Sequence, residues 1–563
     1  MACSSISPDL PSHSLQPIPS TPETSMSPGY QKAKIFQYAD FDVSALCSLA
    51  TRLRGGQSCD CDQSRNPLTG SLNWAITLSF DDGVEWIFRS PREEAVSCRE
   101  SSSNLLASEA ATLKYLKANS TIPVPEVFAY RFDSPSLAAH QLLLTTKSST
   151  QDNEIGVPYI LMSKASGFPL NCKWHSMSSK DKGKILQQLG QFSWQLSTLR
   201  FDKIGSLFET NGNVEVRTCL CRGLVTYDRQ LLDNIDHGPF PNSEAYFGTL
   251  ISALSEHAQC LRLNPHCFFA PIPLQEEYAD FSQYKDACDK WNDFVILGDK
   301  IDCSPNRLDY VIVADLLSEV VSNWLKDTSS SCTSPWPTCQ FPLHHPDLSV
   351  NNIFIDDQYQ ITCVIDWGFS STVPLPVLLA APGLPQMRNR LDKALASAFE
   401  DGFRLAALKA YHDENLQDYQ YVCEMLQHSR PIWSLSRLLD FSSIEDFNLF
   451  QELWRSIGLK DITFSDAFRK KQTESHYRQL YEETTEEDPS PERVSRYEEQ
   501  LFNYRGQLNL TIARKLTLIS DWRSRYDKSS TAQIRGSSDI FVADRRLWQW
   551  ISLCLEDLNR NTQ

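Results

Sequence analysis

Three oxygen-bearing side chains lie close together in one short segment of the chain. Asp347 and Asn352 share the run His-Pro-Asp-Leu-Ser-Val-Asn-Asn, which begins at His345, and Asp366 follows shortly after it. A carboxylate can take a proton from an attacking hydroxyl, and Mg2+ prefers hard oxygen ligands. Phosphoryl transfer needs both, a base beside the acceptor and a metal beside the phosphates. We therefore predict Asp347 as the base, with Asn352 and Asp366 as ligands of Mg2+.

A strand pair must bring these side chains together. A turn over 356–359 between the apolar stretches 353–355 and 361–365 predicts a pair of strands there. Such a short hairpin returns Asp366 to the side of Asn352. Any one of these residues alone would fit a surface carboxylate or a loop amide. Their joint spacing around a hairpin favours the chemical interpretation. From Phe168 onward, this pair is the only one expected within a mainly helical pattern.

In the N-terminal part of the chain, the sequence predicts a hairpin followed by a helix that has a carboxylate within its apolar stripe. Trp74, Ile76, Leu78 and Phe80 alternate with other residues, and an Asp-Asp-Gly turn follows them. A helix is predicted over 103–119, and Glu109 lies within its apolar stripe. A carboxylate on a buried face needs a partner, because an unpaired buried charge is too costly. Pairing with some basic residue and escape to solvent are both open at this point.

The segment around Asp347 resembles the catalytic loop of the aminoglycoside phosphotransferase and choline kinase superfamily, most closely its fungal group. Three other stretches resemble that group in the expected order: the nucleotide-covering loop at 70–74, the third strand at 86–92 and the hinge at 156–164. The resemblance implies bound ATP and Mg2+, with Arg89 in place of the phosphate-gripping Lys and Glu109 as its partner. It also implies the following further nucleotide-binding residues: Ser71, Asn73, Met162 and Lys164. His345 is expected to be structural.

The resemblance implies an α+β, two-lobed protein-kinase-like fold, with a small β-rich N-lobe and a large, mostly helical C-lobe. We expect a disordered Ser/Pro-rich tail over residues 1–33 and a nucleotide-binding N-lobe over 34–165. The catalytic C-lobe with a helical insert spans 166–400, and a helical C-terminal extension spans 401–563. The tail follows from composition, because its many Ser and Pro residues leave too little apolar surface to offset ordering entropy.

Composition excludes several classes of protein. The 563 residues carry 53 basic and 70 acidic side chains, a formal net charge of −17, which argues against a nucleic-acid-binding partner. No apolar run is long enough to span a membrane, and the N-terminus does not resemble a secretory signal. The 17 scattered cysteines fit reduced thiols, so we expect a cytoplasmic protein.

We therefore expect a small-molecule kinase of the aminoglycoside phosphotransferase type, which transfers the γ-phosphate of ATP to a hydroxyl or an amine. The alternative is a weak or inactive nucleotide-binding scaffold or regulator. Arg89 and the glycine-poor covering loop, where Gly70 is the only glycine between Gly56 and Gly83, favour that alternative. A protein kinase is less well supported, since no Asp-Phe-Gly and Ala-Pro-Glu pair brackets an activation loop.

Overall fold

The computed structural model describes residues 41–70, 72–92, 99–132, 155–263, 266, 268, 302, 304–331, 340–411, 416–442, 446–458, 461–485, 488 and 490. Three sequence predictions lie partly or wholly outside these residues. They concern Ser71, the tail over residues 1–33, and the part of the C-terminal extension beyond residue 490.

The N-terminal lobe contains a six-stranded antiparallel sheet in which the predicted hairpin is confirmed. Its strands run in the order β1-β3-β4-β6-β5, and β2 pairs with β3. They are β1 (Cys59–Asp60), β2 (Leu68–Thr69), β3 (Asn73–Phe80), β4 (Glu85–Pro91), β5 (Val127–Arg131) and β6 (Tyr159–Ser163). Gly83 in the turn has a φ of +83°, a conformation that glycine adopts without steric cost.

Helices cover both faces of this sheet. Helix α1 (Val43–Leu53) contributes Leu46 and Ala50 to a core that also contains Trp74 and Phe88. Helix α2 (Arg99–Asn119) includes the whole predicted helix, and its Leu residues belong to the large core of the second lobe. Because β3 and β4 alternate in period two, their aromatic side chains point toward α1. Arg89 on β4 instead faces α2.

The second lobe is mostly helical. Its helices are α3 (Asn171–Trp174), α4 (Ser179–Thr198), α5 (Arg222–Val225), α6 (Ser243–Cys260), α7 (Ser304–Ser331), α8 (Leu375–Leu379), α9 (Lys393–Tyr411), α10 (Leu416–His428), α11 (Ile432–Leu439), α12 (Asp446–Ile457), α13 (Phe464–Gln472) and α14 (Ser475–Thr485). A short 3-10 helix spans Arg229–Leu231. The expected two-lobed α+β fold is confirmed. None of the described helices is long and apolar enough to cross a membrane.

The expectation of one strand pair in this lobe is wrong. The predicted pair is present as β12 (Ile353–Ile355) and β13 (Ile361–Val364), and β7 (Phe168–Pro169) extends it. A second small sheet has the order β14-β11-β8, with β8 (Arg200–Phe201), β11 (Phe341–His344) and β14 (Ser371–Thr372). A separate hairpin joins β9 (Ser206–Thr210) to β10 (Asn213–Arg217). The strands of the second small sheet have only two to four residues, too few for a period-two pattern to be distinguished from a loop.

The closest helix packing in the second lobe joins α4 to α9 through two glycines. A Cβ at Gly190 would overlap the carbonyl oxygen of Phe399 and lie 2.7 Å from the backbone nitrogen of Phe403. A Cβ at Gly402 would overlap the carbonyl oxygen of Gln187 in the same way. Backbone therefore contacts backbone at this crossing, and neither position has room for a side chain.

Gly190→Ala should lower the free energy of unfolding by about 1–3 kcal/mol, because overpacking forces the two helices apart. Gly183→Ala is the matched control on the same helix, since its Cβ would find its nearest neighbour, Ala398 Cβ, at 3.9 Å. Alanine there should stabilise the protein slightly, through helix propensity. Urea unfolding of both variants measures the difference. Equal stabilities would contradict the close approach.

Candidate active site

Asp347 lies in the loop between β11 and β12, and hydrogen bonds hold the backbone of that loop. Its carbonyl accepts from the Ser349 N–H at 2.9 Å and from Asn352 Nδ2 at 3.0 Å. No described residue donates a hydrogen bond to its carboxylate. The loop therefore fixes the backbone of Asp347 and leaves its carboxylate free to accept a proton.

His345 joins this loop to the segment that carries Asp366. Its Nδ1 accepts from the Asp347 N–H at 3.1 Å, and its Nε2 lies 3.0 Å from the Ile365 carbonyl oxygen. Only the neutral tautomer with a proton on Nε2 satisfies both contacts. Burial lowers the pKa of His345 and thereby favours that neutral form. The structural role expected for His345 agrees with these contacts.

Asn352 and Asp366 present the oxygen atoms predicted to bind a metal. Because Asn352 donates through Nδ2, its Oδ1 faces away from Asp347, and no described residue donates to that oxygen. The Asp366 side chain is 44% exposed, and its backbone has a φ of +65°, which aspartate tolerates better than most residues. Pairing of Ile353 with Val364 aligns the two segments. This donor set suits Mg2+, with phosphate oxygens or water completing the shell.

Among the described residues, no three His, Cys, Asp or Glu side chains form a cluster that could hold a metal ion. Asn352 and Asp366, the two predicted metal ligands, supply one amide oxygen and one carboxylate and do not form such a cluster. Two such groups would hold Mg2+ only weakly, so a metal here would need further oxygen ligands.

Arg89 is the centre of a buried ion network that joins the two lobes. Its Nη1 and Nη2 donate to the two carboxylate oxygens of Glu109 at 2.9 and 2.6 Å. Its Nη2 also donates to Asp366 Oδ1 at 3.1 Å. With its amide oxygen turned toward Arg89, Asn73 accepts from Nε at 3.3 Å. The partner expected for Glu109 is thus the one observed.

Electrostatics explain why these groups must stay together. Burial raises the pKa of Glu109, the Asp366 carboxylate raises it further, and the Arg89 guanidinium opposes both effects. The backbone N–H of Trp367 also lowers the pKa of Glu109. Burial lowers the pKa of Arg89, but the two carboxylates more than offset that effect and leave it raised. The guanidinium therefore stays charged and fully engaged.

A pocket of about 390 Å3 opens beside this network. It brings together four predicted site residues, namely Asn73, Arg89, Glu109 and Asp366. Met162 and Lys164 are not among its lining residues. Met162 pairs with Ile87 and Val127 in the sheet, and Lys164 forms an ion pair with Glu85. Their predicted contact with adenine remains a prediction.

Sequence reasoning missed one charged residue near the catalytic loop. Arg437 lies on α11 and, with Trp433, lines a second pocket beside His345 and Pro346. The sequence held no usable signal, because Leu435 and Leu438 lie two and one positions from Arg437 and do not share its helix face.

Comparisons with known proteins give short or distant similarities. No family model matches the chain. A subtelomeric hrmA-associated cluster protein of Aspergillus fumigatus is 31% identical over 141 residues, which cover 25% of this chain and 24% of that protein. The mitochondrial protein named altered inheritance of mitochondria 9, from Candida albicans, is 28% identical over 145 residues, covering 25% of this chain and 20% of that protein. The chain therefore matches about a quarter of the length of these relatives.

Solved structures with a related arrangement include phosphotransferases. The gentamicin complex of APH(2'')-IIa aligns with a TM-score of 0.32 and 12% identity, covering 76% of this chain and 99% of that one. An ethanolamine kinase from Plasmodium vivax aligns with a TM-score of 0.32 and 13% identity, covering 75% and 84% of the two chains. These values carry no argument about activity, so the function proposed below depends on the geometry of the site.

Arg89→Met should lower the free energy of unfolding by about 3 kcal/mol or more at neutral pH, because it leaves the buried Glu109 carboxylate without a cation. The loss should shrink at acidic pH. An acid whose folded pKa is raised begins to destabilise the protein above its unfolded pKa, and the effect is complete above its folded pKa. At a pH below both values Glu109 is protonated and needs no partner. Urea unfolding at several pH values measures both effects.

The double variant Arg89→Met/Glu109→Met should recover most of that loss, since apolar pairs often replace buried ion pairs without cost. Arg65→Met is the matched control, because Arg65 pairs with Asp62 on the surface and its side chain is 73% exposed. It should leave the unfolding midpoint unchanged. A single variant as stable as the control would contradict the buried network.

Proposed function

We propose that the chain is an ATP-dependent phosphotransferase that acts on a hydroxyl, or an amine, of a small molecule. The observation that carries the proposal is the pair of hydrogen bonds made by His345. These hydrogen bonds join the loop of Asp347 to the segment of Asp366. No described residue donates a hydrogen bond to the Asp347 carboxylate. A base and a metal ligand on adjoining segments are what phosphoryl transfer requires.

In the proposed reaction, Asp347 orients the acceptor hydroxyl and accepts its proton. The acceptor oxygen forms a bond to the γ-phosphorus while the bond from that phosphorus to the ADP oxygen breaks. Asn352 and Asp366 would hold Mg2+, which would neutralise charge on the phosphates. Arg89, supported by Glu109, would bind phosphate oxygens through its Nη atoms as a planar fork.

One contact favours the alternative, a nucleotide-binding scaffold with weak or no turnover. Arg89 donates to Asp366 Oδ1, so one oxygen of the proposed metal ligand is already engaged. Nucleotide binding would have to exchange this contact for contacts with phosphate and metal. Measurement of ATP affinity and of ADP release on the same preparation distinguishes the two functions, since a scaffold binds the nucleotide without releasing ADP.

The proposal includes a cytoplasmic location and a small molecule as the phosphate acceptor. The C-lobe supplies the acceptor side, because Asp347 lies between β11 and β12 in that lobe. The proposed lobe boundary near residue 165 falls just after β6, the last strand of the N-terminal sheet. These assignments are consistent with each other and require no contact with nucleic acid or membrane.

Asp347→Asn should lower kcat by about 10²–10⁴-fold, the usual contribution of a positioned general base, and leave the affinity for ATP nearly unchanged. The amide keeps the shape of the side chain and removes the proton acceptor. Initial rates of ADP release across a metabolite library, together with ATP titrations, measure both quantities.

Asp357→Asn is the matched control, because Asp357 is exposed in the turn that follows β12. It makes the same chemical change at a distance from the loop and should retain full activity. Unaltered turnover in Asp347→Asn would overturn the assignment of the base.

A further inference from the structure

A second pocket lies on the C-lobe side of the catalytic loop. Pro346 and Leu348, the two neighbours of Asp347, line one wall, and Trp433 and Arg437 of α11 line another. The pocket encloses about 550 Å3 of space that opens to solvent. A molecule held here would be in contact with the loop that carries the proposed base.

Arg437 is the only permanently charged side chain among the described residues that line this pocket. It is 9% exposed, and its buried Nε has no hydrogen-bond partner. Its guanidinium forms no ion pair or hydrogen bond with any described residue. Its one ring contact is with Trp433, whose centroid lies 5.5 Å from Cζ. The cation is therefore desolvated, and its donors remain available within the pocket.

An unpaired buried charge is one of the most destabilising features a fold can contain. Burial lowers the pKa of Arg437 to about 10, and Arg222 contributes to the decrease, whereas Asp440 and Asp347 oppose it. At neutral pH the group is therefore still protonated. The other ionisable side chains on the pocket wall are His344 and His345, and burial lowers the pKa of His344 to about 3, so it is neutral. No described group on the wall supplies the missing negative charge.

A second arginine lies on the same side of the site. The Nε of Arg222 is also buried without a hydrogen-bond partner, and its Cζ lies 5.5 Å from the ring centroid of Phe369, just after Asp366. Arg437, Arg222 and Arg229 all lower the pKa of Asp440, so these four charges share one neighbourhood. The single carboxylate of Asp440 is therefore shared by three arginines.

We propose that Arg437, assisted by Arg222, binds an anionic group of the acceptor, a carboxylate or a phosphate, and so places the acceptor hydroxyl at Asp347. This assignment of the acceptor class depends on the proposed function of the site. A planar guanidinium binds either anion through paired hydrogen bonds, and a desolvated guanidinium does so strongly. The ligand would then satisfy the buried Nε of Arg437, which has no hydrogen-bond partner.

The first test measures anion binding without any turnover. The full chain is unfolded thermally in chloride buffer of fixed ionic strength, with malonate or inorganic phosphate in parallel titrations that distinguish carboxylate from phosphate. At least one anion should raise the melting temperature of the wild type. Arg437→Met should weaken that binding about tenfold or more, since it removes charge-assisted hydrogen bonds. Arg455→Met, an exposed arginine on α12, should retain the full shift.

The same experiment reveals whether Arg437 is merely structural. Met keeps the length of the side chain and removes a buried unpaired charge, so the variant without anion should be at least as stable as the wild type. A lower melting temperature for Arg437→Met in chloride alone would identify a structural residue and overturn the proposal. It is also overturned if neither anion shifts the wild type, or if all three proteins shift equally.

The second test concerns the acceptor. For any acceptor that supports ADP release, Arg437→Met should raise KM about tenfold or more and change kcat much less, and the neutral amide of that acceptor should be a poor substrate. Turnover of an uncharged acceptor with an unchanged KM would overturn the assignment. If no acceptor is phosphorylated but malonate binding still requires Arg437, the proposed kinase function fails and the anion site stands.

Discussion

The Arg89 guanidinium is buried where the two lobes meet, and groups from both lobes neutralise it. Arg89 lies on β4 of the N-terminal sheet, and its counter-charges come from Glu109 on α2 and from Asp366 in the other lobe. Removing Arg89 would leave two carboxylates without a counter-charge, and one of them, Glu109, lies in a low-dielectric site. The sheet, helix α2 and the segment after β13 are therefore held in one arrangement by electrostatics as well as by apolar packing. The pocket beside Asn73 is a consequence of that arrangement.

The second constraint is a single buried imidazole. His345 satisfies the backbone of two loops at once, and it can do so only as one neutral tautomer. Its ring also contacts Trp367 at a centroid distance of 4.5 Å, and the Trp367 indole nitrogen donates to the Val364 carbonyl. The loop of Asp347 and the segment of Asp366 thus form one rigid unit. Rigidity of this kind lets side chains from separate segments act on the same reacting group.

The sequence predicted those parts of the fold and the site that depend on a single physical rule. Period-two alternation predicted the β3–β4 hairpin, and the cost of a buried carboxylate predicted that Glu109 needs a cation. The hairpin between β12 and β13 was predicted from its turn. The rules failed where elements were short, as with β8, β11 and β14, whose two to four residues give no usable period. Arg437 was missed because its helix is one of many amphipathic segments, and only the packed structure shows which charged residue lacks a partner.

The two buried arginines differ in a way that bears on how each would bind a ligand. The protein itself satisfies Arg89, since two carboxylates and an amide oxygen occupy its donors. A phosphate at Arg89 must therefore displace Asp366, and a metal ion that draws Asp366 away makes that exchange easier. The buried Nε of Arg437 has no hydrogen-bond partner, and its guanidinium makes no ion pair with a described residue, so an anion there would displace no described protein group. Anion binding at Arg437 is therefore opposed by no ion pair with a described residue. Anion binding at Arg89 is opposed by the loss of the contact with Asp366, which joins the lobes. In such a site, Arg89 on the nucleotide side holds the two lobes together, and Arg437 on the acceptor side contributes binding affinity.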